Sequence, residues 1–132
     1  MFNTLNSVYA LSLKQSNTTP EAILKLSELL RYMLYKCNEK TVPLSAEIDY
    51  INNYFALEKL RYTDEVRIEF NTQFTNNLHI DIAPLLFTPF LENAFKHGLN
   101  QREGFAYIDC MLSVENGLIR FSIENSMTNY SI

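Results

Sequence analysis

The stretch Val66-Arg67-Ile68-Glu69-Phe70 decides the fold, because the spacing of the apolar residues changes there. Three apolar residues alternate with two charged ones, and this period of two indicates a strand with one buried face. Before this stretch, apolar residues recur every three or four positions, which is the spacing of an amphipathic helix. The chain is therefore predicted to be helical up to about residue 61 and to build a sheet after it.

Two helices joined by a short break are predicted on the N-terminal side. The first runs from Met1 to about Ser16 and starts without a residue that favours a helix N-cap, so the chain is expected to start inside a helix. The break is Asn17-Thr18-Thr19-Pro20, and Pro20 suits the first turn of a second helix that extends to about Lys36. Together these helices are expected to form an antiparallel hairpin.

The second helix carries an apolar seam with the three-and-four spacing of a coiled coil or helical bundle. The seam comprises Ile23, Leu26, Leu30, Met33 and Cys37, and Leu29 and Leu34 widen it. One hairpin of this size buries little apolar surface, so we expect it to pair with a second copy of the chain.

A third helix is predicted after a polar linker at residues 38–43. Ser45 would cap it, its apolar stripe would contain Ile48, Ile51 and Phe55, and it would end near Arg61. After the deciding strand, residues 71–77 read as a polar turn, and a further strand is predicted from the alternating Leu78, Ile80 and Ile82. The linker and the turn thus separate elements of different periodicity.

The C-terminal part is predicted to contain one more helix and a hairpin. The helix would span Ala83–His97 and stop at Gly98, with Pro89 weakening or kinking it. After a polar loop at residues 100–104, two alternating strands flank Asn116-Gly117, a strong two-residue turn signal because both residues tolerate positive φ. The predicted fold class is α+β, with a helical hairpin at residues 1–40 followed by a truncated α/β sandwich at residues 41–132.

Composition narrows the classes of function. The 132 residues carry a net charge of −4, and no run of Lys or Arg provides the clustered positive charge that nucleic acids require, so no nucleic-acid partner is expected. No apolar stretch approaches the roughly 18 residues of a membrane span, so any membrane anchor of the parent protein would lie outside this chain. The two cysteines, Cys37 and Cys110, are expected to be reduced thiols.

Four polar residues of different chemistry come together near the end of the last predicted helix. At roughly 100° per residue, Glu92, Asn93, Lys96 and His97 fall in one arc, and Phe87, Phe90, Leu91, Ala94 and Phe95 fall in the opposite one. The Asn93 amide oxygen suits a hydrated Mg²⁺, Lys96 suits a phosphate, His97 can donate to phosphate or ribose, and Glu92 can accept a proton. The alternative interpretation is an i,i+4 ion pair between Glu92 and Lys96 on a solvated face.

The chain resembles the sensor histidine kinases of the autolysin-regulator (LytS-type) group along nearly its whole length. Residues 92–98, Glu-Asn-Ala-Phe-Lys-His-Gly, resemble the N-box of that group, and residues 2–7, Phe-Asn-Thr-Leu-Asn-Ser, resemble the stretch just after its phosphoacceptor histidine. Residues 29–34, 42–48 and 54–61 resemble the segments that lie between these motifs, in the expected order.

The resemblance implies a Mg²⁺-ATP-dependent kinase that phosphorylates its own histidine and passes the phosphoryl group to a response regulator. Asn93 would hold Mg²⁺ and bind ATP, Lys96 and His97 would line the phosphates or ribose, and Glu92 would assist the transfer. Residues 1–40 would be part of the dimerisation and phosphotransfer helices, forming a homodimer, and residues 41–132 the first half of the ATP-binding domain. The chain would be the cytoplasmic portion of an inner-membrane protein.

Departures from the family pattern predict that the chain is an inactive internal fragment. The acceptor histidine would lie just before Met1, and neither His79 nor His97 replaces it. The glycine-rich motifs of the ATP lid would follow Ser126, since none of the three glycines stands in a GxG pattern. Pro89 also stands where many histidine kinases carry a second asparagine.

Two other classes of function compete with this interpretation. One is a nucleotide-binding relative, such as an anti-sigma-factor kinase or a chaperone-type ATPase of the same superfamily, which would lack the helices of residues 1–37. The other is a helical dimerisation module without nucleotide chemistry, against which the polar arc at Glu92 counts.

Overall fold

The computed structural model describes residues 19–36, 38–60, 62, 66–74, 79–98 and 106–126. The predicted first helix and the predicted loop at residues 100–104 lie outside the described residues. The elements are α1 (Thr19–Lys36), β1 (Val42–Pro43), α2 (Leu44–Lys59), β2 (Val66–Phe74), β3 (Asp81–Ile82), α3 (Thr88–Gly98), β4 (Ala106–Glu115) and β5 (Leu118–Asn125). The described part is α+β, and it divides into two compact units.

The first unit contains α1, β1, α2 and β3. Helix α1 has the predicted bounds, with Glu21 in its first turn and Lys36 in its last, and both charges complement the helix dipole. It packs against α2, and Lys25 Nζ donates a hydrogen bond to Asn53 Oδ1 across 3.2 Å. Neither this helix nor the others in the described ranges are long and apolar enough for a bilayer crossing.

The start of α2 differs from the prediction. The helix begins at Leu44 rather than after a Ser45 cap, and Pro43 occupies the N-cap position without a side-chain hydrogen bond. The Leu44 N–H instead donates to the Ile80 carbonyl across 2.7 Å, next to the antiparallel pairing of β1 with β3. A backbone carbonyl brought by the chain fold therefore does what a capping side chain would otherwise do.

The buried face of α2 is also shifted from the predicted stripe. Ile51 and Phe55 are buried as predicted, but Ile48 is only half-buried. The face includes Glu47, Tyr50, Ile51, Tyr54, Phe55, Leu57 and Glu58. Two carboxylates thus occupy positions that a hydrophobicity pattern assigns to the solvent side.

The second unit contains a three-stranded mixed sheet in the order β2-β4-β5, with α3 packed on β4 and β5. Strands β2 and β4 are parallel, from Val66 opposite Ala106 to Phe74 opposite Val114. Strands β4 and β5 are antiparallel around the Asn116-Gly117 turn, where both residues have positive φ, as predicted. The predicted inner face of β4 is buried at Ile108, Cys110, Leu112 and Val114.

The turn predicted from residue 71 is wrong, and the strand predicted through Ile80 and Ile82 is confirmed only in part. Residues 71–74 are not a turn but continue β2, because β4 offers each of them a backbone partner and because Thr72 and Phe74 are themselves strand-favouring residues. The predicted strand through Ile80 and Ile82 is reduced to Asp81–Ile82, and it pairs with β1 in the first unit. His79, assigned to that strand, lies outside it and is exposed.

Candidate functional site

Helix α3 carries the four residues that sequence reasoning assigns to the site, but it is shorter than predicted. It begins at Thr88, and the preceding residues form a turn in which Leu85 has a φ of 59°. The Phe87 carbonyl accepts hydrogen bonds from the N–H groups of Phe90 and Leu91, at 3.1 and 3.2 Å. Pro89 therefore lies in the first turn, where its missing N–H costs no helical hydrogen bond, and the predicted weakening or kink does not apply.

An apolar face fixes α3 within the second unit. Leu91, Ala94 and Phe95 are buried, and their i, i+3, i+4 spacing is that of one helix face. Phe87, just ahead of the helix, is buried as well and stacks on Phe121 of β5. Phe90 was assigned to the same face, but 56% of it is exposed, so that part of the prediction is wrong.

The opposite face presents the predicted polar residues. Asn93 and Lys96 are exposed, and Glu92 is half-buried. Glu92 and Lys96 are one helical turn apart, and Asn93 is adjacent in sequence, so three of the predicted side chains share one side of α3. His97 belongs to the helix by its backbone, and its side chain lies outside the described part of the chain.

The arrangement suits a hydrated metal ion and a phosphate rather than a metal cage. The described residues hold no group of three or more His, Cys, Asp or Glu side chains placed to share a metal ion. The chemistry of Asn93 still fits Mg²⁺, which keeps several waters and takes few oxygen ligands from a protein. The exposed ammonium of Lys96 can reach an anion without a large desolvation cost.

Glu47 is a polar residue of the first unit that sequence reasoning missed. Its side chain is buried, and its carboxylate accepts hydrogen bonds from the Tyr32 hydroxyl and from the backbone N–H groups of Leu85 and Leu86. Burial raises the pKa of Glu47 above its ordinary value, and the three hydrogen bonds lower that pKa in part. The sequence signal is its spacing from buried Ile51 and Tyr54, because 47, 51 and 54 fall on one helix face.

Comparison with known proteins places the chain in a family. Residues 1–66, which include α1 and α2 but not α3, match the family described as histidine kinase. The sensor protein kinases HptS of Staphylococcus aureus strains USA300 and NCTC 8325 / PS 47 are each 31% identical to the chain over 98 residues. The aligned stretch is 74% of this chain and 18% of each relative, so the chain spans less than a fifth of their length. Because the family match extends over half of its residues, the chain belongs to the histidine kinase family.

Proposed function

We propose that the chain is part of a two-component sensor histidine kinase of the autolysin-regulator group. Such a kinase uses Mg²⁺-ATP to phosphorylate its own histidine and passes the phosphoryl group to a response regulator. Family membership supports the kinase chemistry, and the relatives are named sensor protein kinases. The nucleotide part of the proposal is supported by one observation: α3 buries its apolar face and presents its polar residues on the opposite face.

In this proposal each polar residue of α3 has a separate role. Asn93 holds Mg²⁺ through its amide oxygen, Lys96 and His97 bind the phosphates or the ribose, and Glu92 assists the phosphoryl transfer. Bound Mg²⁺ would supply charge neutralisation at the phosphates, and the protein's own contribution is to position and to stabilise charge. A helix with a buried face suits that task, because it holds its side chains at fixed spacings.

The arrangement of domains is part of the same proposal. Residues 1–40 contribute to the dimerisation and phosphotransfer helices of a homodimer, and residues 41–132 contribute to a histidine-kinase-type α/β sandwich that binds ATP. The match over residues 1–66 supports a kinase rather than a chaperone-type ATPase, because the helical segment that would distinguish the two lies within it. We place the chain on the cytoplasmic side of a membrane-bound parent protein.

The 132 residues alone are proposed to hold only the phosphate side of the nucleotide site. The chain has three glycines, Gly98, Gly104 and Gly117, and none of them stands in a GxG pattern. A glycine-rich loop, whose backbone N–H groups could bind the phosphates, is therefore not formed by these residues. His79 and His97 do not stand in the acceptor motif. We therefore expect weak or undetectable Mg²⁺-ATP binding and no autophosphorylation by this chain alone.

Calorimetry on the sensor kinase that contains this chain tests the role of Asn93. Asn93→Ala should abolish Mg²⁺-ATP binding while the circular dichroism spectrum is retained. Asn52→Ala is the matched control, because Asn52 is also an exposed helical asparagine, on α2. Equal ATP affinity in the two variants would mean that Asn93 does not hold the metal ion and that the metal site lies elsewhere than on α3.

The proposed role of Glu92 is tested separately from binding. Glu92→Gln should slow autophosphorylation at saturating ATP, measured with labelled ATP, and leave the affinity for ATP nearly unchanged. If Glu92 and Lys96 form only a surface ion pair, the substitution will alter neither quantity.

A further inference from the structure

Phe121 of β5 contacts two aromatic residues at the start of α3. Its ring stacks on the ring of Phe87, with centroids 4.5 Å apart, and lies 6.3 Å from the ring of Phe90 at an interplanar angle of 50°. Both separations fall in the range of favourable aromatic pairs. All three residues belong to the second unit. Phe87, Phe90 and Phe121 therefore form a ring cluster at the place where α3 begins.

The two contacts of the ring cluster restrain different motions of α3. Phe87 precedes the helix, and its carbonyl accepts hydrogen bonds from the N–H groups of Phe90 and Leu91, at 3.1 and 3.2 Å. The stack of Phe87 on Phe121 therefore fixes the point from which the helix starts. Phe90 lies in the first turn, three residues before Asn93, so the two project from neighbouring positions on the helix surface. The contact at Phe90 thus restrains rotation of the helix about its axis, a motion that would swing Asn93.

Phe121 has a support in the sheet that does not depend on α3. It lies opposite Leu112 in the antiparallel ladder of β4 and β5, and Leu112 is completely buried. Residues that oppose each other in such a ladder keep their side chains in contact. Strand β4 is in turn the central strand of the sheet, paired with β2 on its other side. The ring of Phe121 is therefore a fixed point against which the helix can be oriented.

The local sequence supplies few restraints at the start of α3. The first turn has no acidic side chain to complement the helix dipole, and Pro89 within it has no N–H to donate. The second unit resumes at Phe87, so within this unit a single residue precedes the helix. The ring cluster thus restrains a helix start that its own sequence leaves weakly fixed.

We propose that Phe121 is a positioning residue for Mg²⁺-ATP binding, which acts through Phe87 and Phe90 and sets the direction in which α3 presents Asn93. This inference rests on the proposed function, because it takes Asn93 as the residue that holds Mg²⁺. A hydrated Mg²⁺ ion takes few oxygen ligands from a protein and demands near-ideal geometry, so its affinity depends on where each ligand points. The three rings themselves touch neither the metal ion nor the nucleotide.

Substitution of Phe90 separates this role from stability. Phe90 is 56% exposed, so Phe90→Leu should cost little folding free energy while it removes the ring that meets Phe121. Phe74→Leu is the matched control, because Phe74 is 46% exposed and lies at the end of β2, away from the ring cluster in the sheet register. Phe121→Leu removes the contact from the other side.

Amide hydrogen exchange of the 132-residue chain tests the local effect. We expect the amides of residues 90 and 91 to exchange about fivefold faster in Phe90→Leu, as the loss of one aromatic pair implies. Amides in the middle of β4 should keep their wild-type rates, and Phe74→Leu should change neither group. Unchanged exchange at residues 90 and 91, or an equal acceleration in β4, would overturn the proposal.

Calorimetry on the sensor kinase that contains the chain tests the consequence for nucleotide. We expect Phe90→Leu to weaken Mg²⁺-ATP binding about fivefold, Phe121→Leu to weaken it at least as much, and Phe74→Leu to leave it unchanged. The double variant of Phe90 and Phe121 should bind no more weakly than Phe121→Leu alone, because Phe90 then has no ring left to meet. Additive losses would mean that the two rings act independently, and they would overturn the proposal.

Comparison with Asn93→Ala separates this proposal from the proposed function. Unchanged ATP affinity in Phe90→Leu and Phe121→Leu, in a kinase whose ATP binding Asn93→Ala abolishes, would overturn the positioning role and leave the proposed function intact. If Asn93→Ala has no effect on ATP binding, the proposed function fails and the positioning role fails with it.

Discussion

The ring of Phe87 stacks on the ring of Phe121, with centroids 4.5 Å apart and an interplanar angle of 22°. Phe87 is buried immediately before α3, and its carbonyl accepts the first two hydrogen bonds of that helix. Phe121 lies on β5 and is half-buried, with the exposed ring of Phe90 also near it at 6.3 Å. The stack therefore ties the start of the proposed nucleotide helix to the sheet.

Removal of this stack should destabilise the second unit. Phe121→Ala is expected to lower the free energy of unfolding by about 2 kcal/mol, less than a fully buried phenylalanine, because the ring is only half-buried. Phe74→Ala is the control, since Phe74 is exposed at the end of β2. Urea denaturation of both variants measures the difference, and equal losses would mean that the stack contributes no specific stability.

A side chain at Gly117, in the Asn116-Gly117 turn, is expected to lower stability through backbone strain and not through a steric clash. Gly117 has a φ of 77°, and an added Cβ would meet nothing within 4 Å. Gly117→Ala should therefore cost about 1 kcal/mol through positive φ alone. Asn116→Gly should change stability much less, because its φ of 53° is open to both residues. Denaturation curves that show no cost for Gly117→Ala would indicate a different turn conformation in solution.

The sequence predicts the elements that depend on residues close together in the chain, and the Asn116-Gly117 turn is one of them. The alternation in β4 and the bounds of α1 follow from spacing and are confirmed. The extension of β2 over residues 71–74 could not be foreseen, because it depends on pairing with β4, more than thirty residues away. The late start of α3 could not be predicted either, since no neighbouring residue indicates a positive φ at Leu85.

The residues of the candidate site also differ in how far the sequence predicts them. The shared face of Glu92, Asn93 and Lys96 follows from helical geometry and was predictable. The buried Glu47 was not, because its hydrogen-bond donors come from α1 and from the turn before α3. A pattern of polarity treats a carboxylate as a surface group and does not register donors supplied by distant backbone.

The thiol of Cys110 is expected to be inert in the folded chain. Burial raises its pKa to about 12, from an ordinary value of 9.0, so the reactive thiolate is scarce at pH 8. In a Cys37→Ser background, where Cys110 is the sole cysteine, a disulfide reagent should react only after unfolding in urea. Rapid reaction without denaturant would show that the inner face of β4 opens readily.

The same shift has a consequence for stability against pH. The folded state holds the Cys110 proton more tightly than the unfolded state, so the stabilising contribution is fully present below pH 9 and is lost as the pH rises toward 12. The loss of stability over that range should be smaller in Cys110→Ala than in the wild type. Thermal denaturation at pH 8, 9.5 and 10.5 measures it.

Self-association is predicted from the outer face of α1. Ile23 and Leu34 are 51% and 64% exposed. They are eleven residues apart, which is about three turns, so they lie on the same side of the helix. The exposed Leu24 and Tyr35, also eleven residues apart, lie beside them. Of the predicted seam, Met33 is buried within the chain and Leu30 is half-buried, so the surface available for pairing is centred on Ile23 and Leu34. An exposed apolar stripe of this kind is typical of an association surface.

Light scattering at micromolar concentration should give a mass above that of a monomer, and Leu34→Asp should shift it toward the monomer. A buried carboxylate without a partner disfavours the paired state, whereas the exposed Asp of the monomer costs little. Leu118→Asp on β5 is the matched control, because Leu118 is also 64% exposed, and its mass should equal that of the wild type. Leu30→Asp should act in the same direction as Leu34→Asp. A wild-type mass in both α1 variants would exclude this face as the interface, and a fall in mass with Leu118→Asp would place the interface on the sheet instead.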